Sequence, residues 1–185
     1  PDMASFFIAK YKGSREDDPD EDALTLALAC GGEDVARLIR ETADGPESTK
    51  RGQLLWALCS LNGYPFSVER IPFSEELSQS AFRLAKASDA VDRAAAASLL
   101  SGTKTSEARS VLYTLAEGDA DIKVRAASIE GLGAIGDRDT LTYLTQYEAR
   151  ILDGLKDSYP SQVVAVLRHS VQAAIDELQR RFIPK

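Results

Sequence analysis

One histidine and two cysteines are all the imidazole and thiol that this 185-residue chain offers. His169 stands beside Ser170, and a histidine that activates a hydroxyl nucleophile is the basis of one large class of hydrolases. On a helix, however, adjacent residues point about 100° apart and cannot share a proton, so the pair predicts a surface histidine and not a general base. Cys30 and Cys59 lie in apolar helical sequence and form no C-x-x-C pair. They read as small buried hydrophobes in a reducing compartment, not as a disulfide framework or zinc ligands. The segment "GLGAIG" (131–136) has G-x-G-x-x-G spacing but no strand before it, and a dinucleotide site needs a strand-to-helix turn to aim its N–H groups at phosphate. The run "REDDPDED" (15–22) gathers six carboxylates, yet it lacks a loop glycine and spaced calcium ligands, and Pro19 interrupts it. It reads as a solvated lead-in to the next helix. No catalytic residue, metal site or cofactor is assigned.

The pattern that does recur is built on arginine. Within "DIKVRAASIEGLGAIGD" (121–137), Val124, Arg125, Ile129, Leu132 and Ile135 share one broad helical side, opposite Lys123 and Glu130. Aligning 48–63, 90–102, 122–136 and 165–179 on Arg51, Arg93, Arg125 and Arg168 brings Leu58, Leu100, Leu132 and Ile175 into register seven residues later. Two helical turns separate each pair, so every arginine shares a face with a large aliphatic side chain. A permanent cation placed there needs partners for its five donors, which assigns the first three arginines a structural role, partly buried and hydrogen-bonded.

The elements that must position these side chains are helices. Between the four aligned segments lie helical stretches at about 33–43, 74–87, 104–117 and 138–156, with Ser74, Thr105 and Asp137 or Asp139 as N-caps and Gly118 and Gly136 near helix ends. Each repeat is then a pair of antiparallel helices, and no stretch shows the period-two alternation of a strand. The arginine spacings of 42, 32 and 43 residues put extra chain in the outer intervals. In the first interval that surplus is "NGYPFSVERIPF" (62–73), a loop by its prolines and Asn-Gly. Gly131 and Gly133 cost up to about 1 kcal/mol each against alanine inside a helix, so a neighbouring helix pressed on them is expected. Residues 3–12 and 20–32 read as two helices capping the first repeat, giving a capping region at 1–32 and a repeat domain at 33–185.

Charge narrows the partners. The net charge is −7, of which residues 15–22 carry −5 and the remaining chain −2. Such a body lacks the cation array that neutralises phosphates, which disfavours nucleic acid and anionic membrane surfaces. No apolar run approaches the ~20 residues of a membrane span, and no signal peptide leads the chain, so the expected location is cytoplasmic. Opening on Pro1 suggests a piece of a longer protein.

The D-x-x-V-R-A-A pattern of Asp121–Ala127, its weaker copy from Asp89, and "GLGAIGD" (131–137) resemble the second helix of HEAT repeats, particularly the short phycobilisome-lyase HEAT-like form. The resemblance is strong over 88–137, fair over 47–62 and 161–180, and absent before about residue 30. It implies an all-α, right-handed α-solenoid of antiparallel helix pairs, similar to HEAT and ARM superhelices. It also implies that each inner arginine pairs with an aspartate at the start of an equivalent helix. Asp89 and Asp121 precede Arg93 and Arg125 by four residues, and Glu47 precedes Arg51 likewise, which also permits local ion pairs; Val164 before Arg168 breaks the pattern.

Proteins with such repeats include scaffolds, adaptors, bilin lyases and DNA-repair proteins. The leading expectation is a non-catalytic scaffold whose concave face binds another protein through Arg51, Arg93 and Arg125, where their outer edges reach the surface, and through the exposed parts of Lys50, Asp92, Lys123 and Glu130. Tyr64 and Phe66, in the 62–73 loop with Ile71 and Phe73, have the composition of a binding hot spot, unless the rings fold back to plug the groove between repeats. Trp56 reads as core, although an indole on the concave side would serve a partner. A tetrapyrrole-holding protein is the alternative, requiring Trp56, Cys59, Tyr64 and His169 to converge; a DNA-binding repair protein ranks last.

Overall fold

A computed structural model of the chain describes residues 2–60, 71–155 and 159–183, and of 59, 60 and 149–154 the backbone alone. Ten helices and no strand occur among the described residues: α1 (Met3–Gly13), α2 (Glu21–Cys30), α3 (Glu33–Ala43), α4 (Thr49–Ser60), α5 (Glu75–Leu84), α6 (Ala90–Leu100), α7 (Ser106–Gly118), α8 (Ile122–Ile135), α9 (Arg138–Leu155) and α10 (Ser161–Phe182). The expected starts are where short polar side chains place them. Ser74 accepts from the Leu77 N–H at 3.2 Å, Thr105 from Ala108 at 3.1 Å and Asp137 from Thr140 at 3.0 Å. Each cap satisfies an N–H that the first helical turn leaves without a partner.

Consecutive helices pack as hairpins, and the hairpins stack into an all-α solenoid of two layers. The even-numbered helices touch in unbroken order from α2 to α10, while α1, α3 and α5 run behind them. The aligned arginines all fall on even helices, and the aliphatic partners Leu58, Leu100 and Leu132 are fully buried, with Ile175 nearly so. Each contributes roughly 1.5–3 kcal/mol by leaving water.

α8 is enclosed by α6, α7 and α10. Val124, Ile129, Leu132 and Ile135 are buried as expected, but so are Ala126, Ala127 and Ser128 on its other sides. Gly133 shows why small residues are needed here, because a Cβ added to it would lie 2.8 Å from Cα and Cβ of Ala174 on α10. The glycine lets the α8 and α10 axes approach as side chains would not permit.

Residues 2–32 form a hairpin of the same kind, α1 packing on α3 and α2 on α4. Gly31 and Gly32, at φ 67° and 90°, take the left-handed backbone that links α2 to α3 without a loop. Of the apolar residues of α1, only Tyr11 is buried, donating its hydroxyl to the Lys50 carbonyl at 2.8 Å. Burial pushes that phenol up to about 12. Phe6 is exposed and meets Phe7 edge to face.

Two expectations for the N-terminal region need correction. Cys30 is not a buried hydrophobe but exposed, because it shares a helical stripe with exposed Leu26, while Ala23, Leu24, Ala27 and Leu28 take the inner face. The acidic run is not merely solvated either. Asp20 caps α2 through the Ala23 N–H at 2.8 Å and pairs with Lys10 at 2.9 Å, Glu16 accepts from the Lys50 N–H at 3.1 Å, and Pro19 is buried.

Candidate functional site

The arginines of the even helices form a ladder inside the stack. Arg51 on α4 reaches Asp92 on α6 with a two-pronged bond, Nη1 to Oδ1 at 3.1 Å and Nη2 to Oδ2 at 2.8 Å, and its Nε donates to the Ala43 carbonyl at 3.3 Å. Arg93 on α6 reaches Asp119, at the end of α7, through Nε at 2.6 Å and Nη2 at 2.9 Å. The Arg93 Nη1 donates to the carbonyls of Ala87 and Ser88. Arg125 on α8 donates its Nε to the Asp119 carbonyl at 2.6 Å, so residue 119 joins two repeats. Asp92 lies near the start of α6, as the ladder arrangement requires; Asp119 lies two residues before the cap of α8. The local pairs four residues apart do not form. Asp89 and Asp121 instead accept from the N–H groups of Val91 and Lys123, capping their own helices and leaving the guanidiniums to reach between repeats.

Electrostatics follow this geometry. The bonds to Asp92 and Asp119 hold the Arg51 and Arg93 guanidiniums above their ordinary range. Burial alone would push the Asp119 carboxyl up, but Arg93 and the Asp121 N–H bonded to it outweigh burial and hold it below the usual carboxylate range. Only 17% of the Arg93 side chain and 4% of that of Asp119 are exposed, so the ladder spends its charges internally.

Beside the ladder lies a groove on the outer face of the even helices. One hollow of about 280 Å³ is walled by Trp56, Val91, Ile122, Lys123, Glu130 and Val166 over a floor of Ala94, Ala126 and Ala127. A second, of about 420 Å³, adjoins it through Trp56 and Val91 and is flanked by Glu47, Asp89 and the Arg51–Asp92 pair. Trp56 is 55% exposed and Val166 61% exposed. Reading Trp56 as core is therefore wrong, and the cause is α6: its outward positions are small, so the indole lies over it and meets Lys123 of α8, whose ammonium stands 5.4 Å from the ring centroid.

A repeat register explains the groove. Counted from the aligned arginine, Val91, Lys123 and Val166 all stand two residues before it, Gly52, Ala94 and Ala126 one after it, and Trp56 and Glu130 five after it. The HEAT-repeat family matches residues 80–175 of the chain, half its length. The chain belongs to the HEAT-repeat family. No curated protein matches it. Within this HEAT-repeat frame His169 takes the register position held elsewhere by glycine or alanine, which ends the small-residue floor at α10.

The expected binding residues divide by place. Trp56, Lys123 and Glu130 converge on the groove, where Glu130 also accepts from the Ser170 hydroxyl at 2.8 Å. Arg51 borders it while paired with Asp92, which is itself buried; Arg93 and Arg125 are turned into the ladder. Lys50 points elsewhere, donating to the Lys12 and Ser14 carbonyls at 3.0 and 2.7 Å. Tyr64 and Phe66 lie outside the described residues; from the same segment Ile71 is buried and Phe73 packs against the core beside Gly102. Of the four residues a tetrapyrrole site needs, Trp56 lines the groove and His169 is exposed on α10, while Tyr64 and the Cys59 side chain lie outside the described residues. Val91, Ile122 and Val166 are groove residues that the sequence reading omits, although Val91 and Val166 share the register of Lys123. Among the described residues no group of three or more histidine, cysteine or carboxylate side chains is gathered for a metal, and no helix is long and apolar enough to cross a membrane.

Proposed function

We propose that the chain is a non-catalytic scaffold or adaptor that binds another protein along the even-helix face, the concave side in this family. The observation that carries this reading is an exposed indole and an exposed valine, Trp56 and Val166, at opposite sides of one alanine-floored groove. Aromatic side chains in such a setting are common anchors of protein interfaces. The first 32 residues serve as the N-terminal cap of the repeat domain, the partner is neither nucleic acid nor membrane, and the setting is cytoplasmic. Capturing the partner from the native source, then replacing Trp56 by alanine and Val166 by serine, tests the groove: a loss of about tenfold or more in affinity per anchor is expected. Unchanged capture by correctly folded variants removes this face from the interaction.

The tetrapyrrole alternative is separable by titrating the chain with a free bilin and following visible absorbance. The scaffold reading expects no shifted band; a saturable shift would replace it.

A further inference from the structure

Resting on the groove as a protein-binding face, we propose that its occupant is a basic segment of the partner, with lysine or arginine side chains beside an apolar anchor. Charge at the rim supports this. Arg51 and Asp92 satisfy each other through two hydrogen bonds, which leaves, among the described lining residues, Glu47, Asp89, Asp121 and Glu130 against the ammonium of Lys123. Asp89 and Asp121 each cap a helix whose N-terminal dipole offsets roughly half a charge, and a negative surplus still remains. The net charge of −7 adds long-range attraction for a cationic partner and repels an acidic one.

The chain itself shows where such a cation goes. Lys123 lays its ammonium over the Trp56 ring, with Glu130 and Asp121 lining the same hollow. An incoming lysine or arginine finds a ring face, neighbouring carboxylates and an apolar floor for its alkyl stem. Val91 and Val166 flank that floor and accommodate an aliphatic anchor. Lys123 is then an internal competitor, displaced when the partner's cation arrives.

Trp56 is the only tryptophan, so its emission reports groove occupancy in the full chain without a label. Three short peptides of equal leucine content, bearing lysine, glutamine or glutamate at the remaining positions, are titrated at low salt and again at physiological ionic strength. The lysine peptide is expected to saturate the Trp56 signal at least about tenfold more tightly than the glutamate peptide and to weaken as salt screens the rim. Lys123→Met should tighten it severalfold, Glu47→Gln/Glu130→Gln should weaken it, and Asp18→Asn/Asp22→Asn, which remove the same charge from residues that line neither hollow, should weaken it markedly less. Equal or tighter binding of the neutral or acidic peptide overturns the inference. So does equal weakening by both double variants, which would mean attraction to net charge alone. If no peptide alters Trp56 emission while capture of the natural partner still depends on Trp56, the basic occupant is wrong and the groove stands; if capture ignores Trp56, the groove itself falls.

Discussion

The junction between α6 and α8 and the junction between α8 and α10 join neighbouring repeats in two different ways. At the first, Arg93 spans to Asp119 and Arg125 returns to the same residue's carbonyl, so charge-assisted bonds with fixed directions set the register. At the second, the corresponding Arg168 is exposed, and contact of Gly133 with Ala174 sets the distance instead. Polar links there are peripheral: Ser170 donates to Glu130, and Arg181 to the carbonyls of Gly136 and Gly133, both at 3.3 Å. Gly131 also brings α8 close to the Ala97 carbonyl of α6, so the first junction joins directional bonds to close packing, whereas the second relies on the glycine contact without an arginine pair. A repeat can therefore drop its arginine pair where a small residue lets the next helix close in.

The largest effect is expected from removing the shared residue of the ladder. Asp119→Ala strands the nearly buried Arg93 guanidinium and the Asp121 N–H, at a cost of about 3–5 kcal/mol in urea unfolding. A loss below about 1 kcal/mol would mean that the charged junction is no stronger than a surface pair. The same carboxyl makes the junction acid-sensitive. Its folded pKa lies below the unfolded value, so the unfolded chain binds more protons in acid. Its contribution is complete above about pH 5 and fades as pH falls through the lowered folded value, and Asp119→Asn should flatten that decline.

At the other junction, Gly133→Ala forces a methyl group into Ala174. Overpacking of about 1–3 kcal/mol, less the roughly 1 kcal/mol that alanine gains as a helix former, leaves a net loss of up to about 2 kcal/mol. Adding Ala174→Gly should recover part of it, and additive losses in a thermal melt would contradict the close-contact account. The smallest effect belongs to Arg168→Ala, within about 0.5 kcal/mol, since the side chain is exposed. A loss comparable to that of Asp119→Ala would erase the difference between the junctions.

Much of the stack was legible because its determinants are local. Capping side chains precede the helices they start, and an arginine two turns ahead of an aliphatic marks one face of one helix. The ladder's partners were less legible: Asp89 and Asp121 stand at the local spacing but are used as caps, and the Arg93 partner, Asp119, closes the preceding helix. Trp56 was misplaced because its environment is set by the small residues of another helix; hydrophobicity alone assigns an indole to the core. Val91 and Val166 needed the arginine register carried to every repeat. Cys30 depended on which stripe of α2 faces inward, and Leu26 and Leu28 in the same helix point opposite ways.

α8 has neighbours on three sides, while α1 stands at an end of the stack. Exposing the α8 amides to deuterium thus requires parting α6, α7 and α10 from it together, whereas α1 frays against fewer neighbours. Hydrogen exchange should run slowest in α8 and fastest toward the N-terminal hairpin, a gradient that would make the α7–α8 hairpin the last to yield when the protein opens.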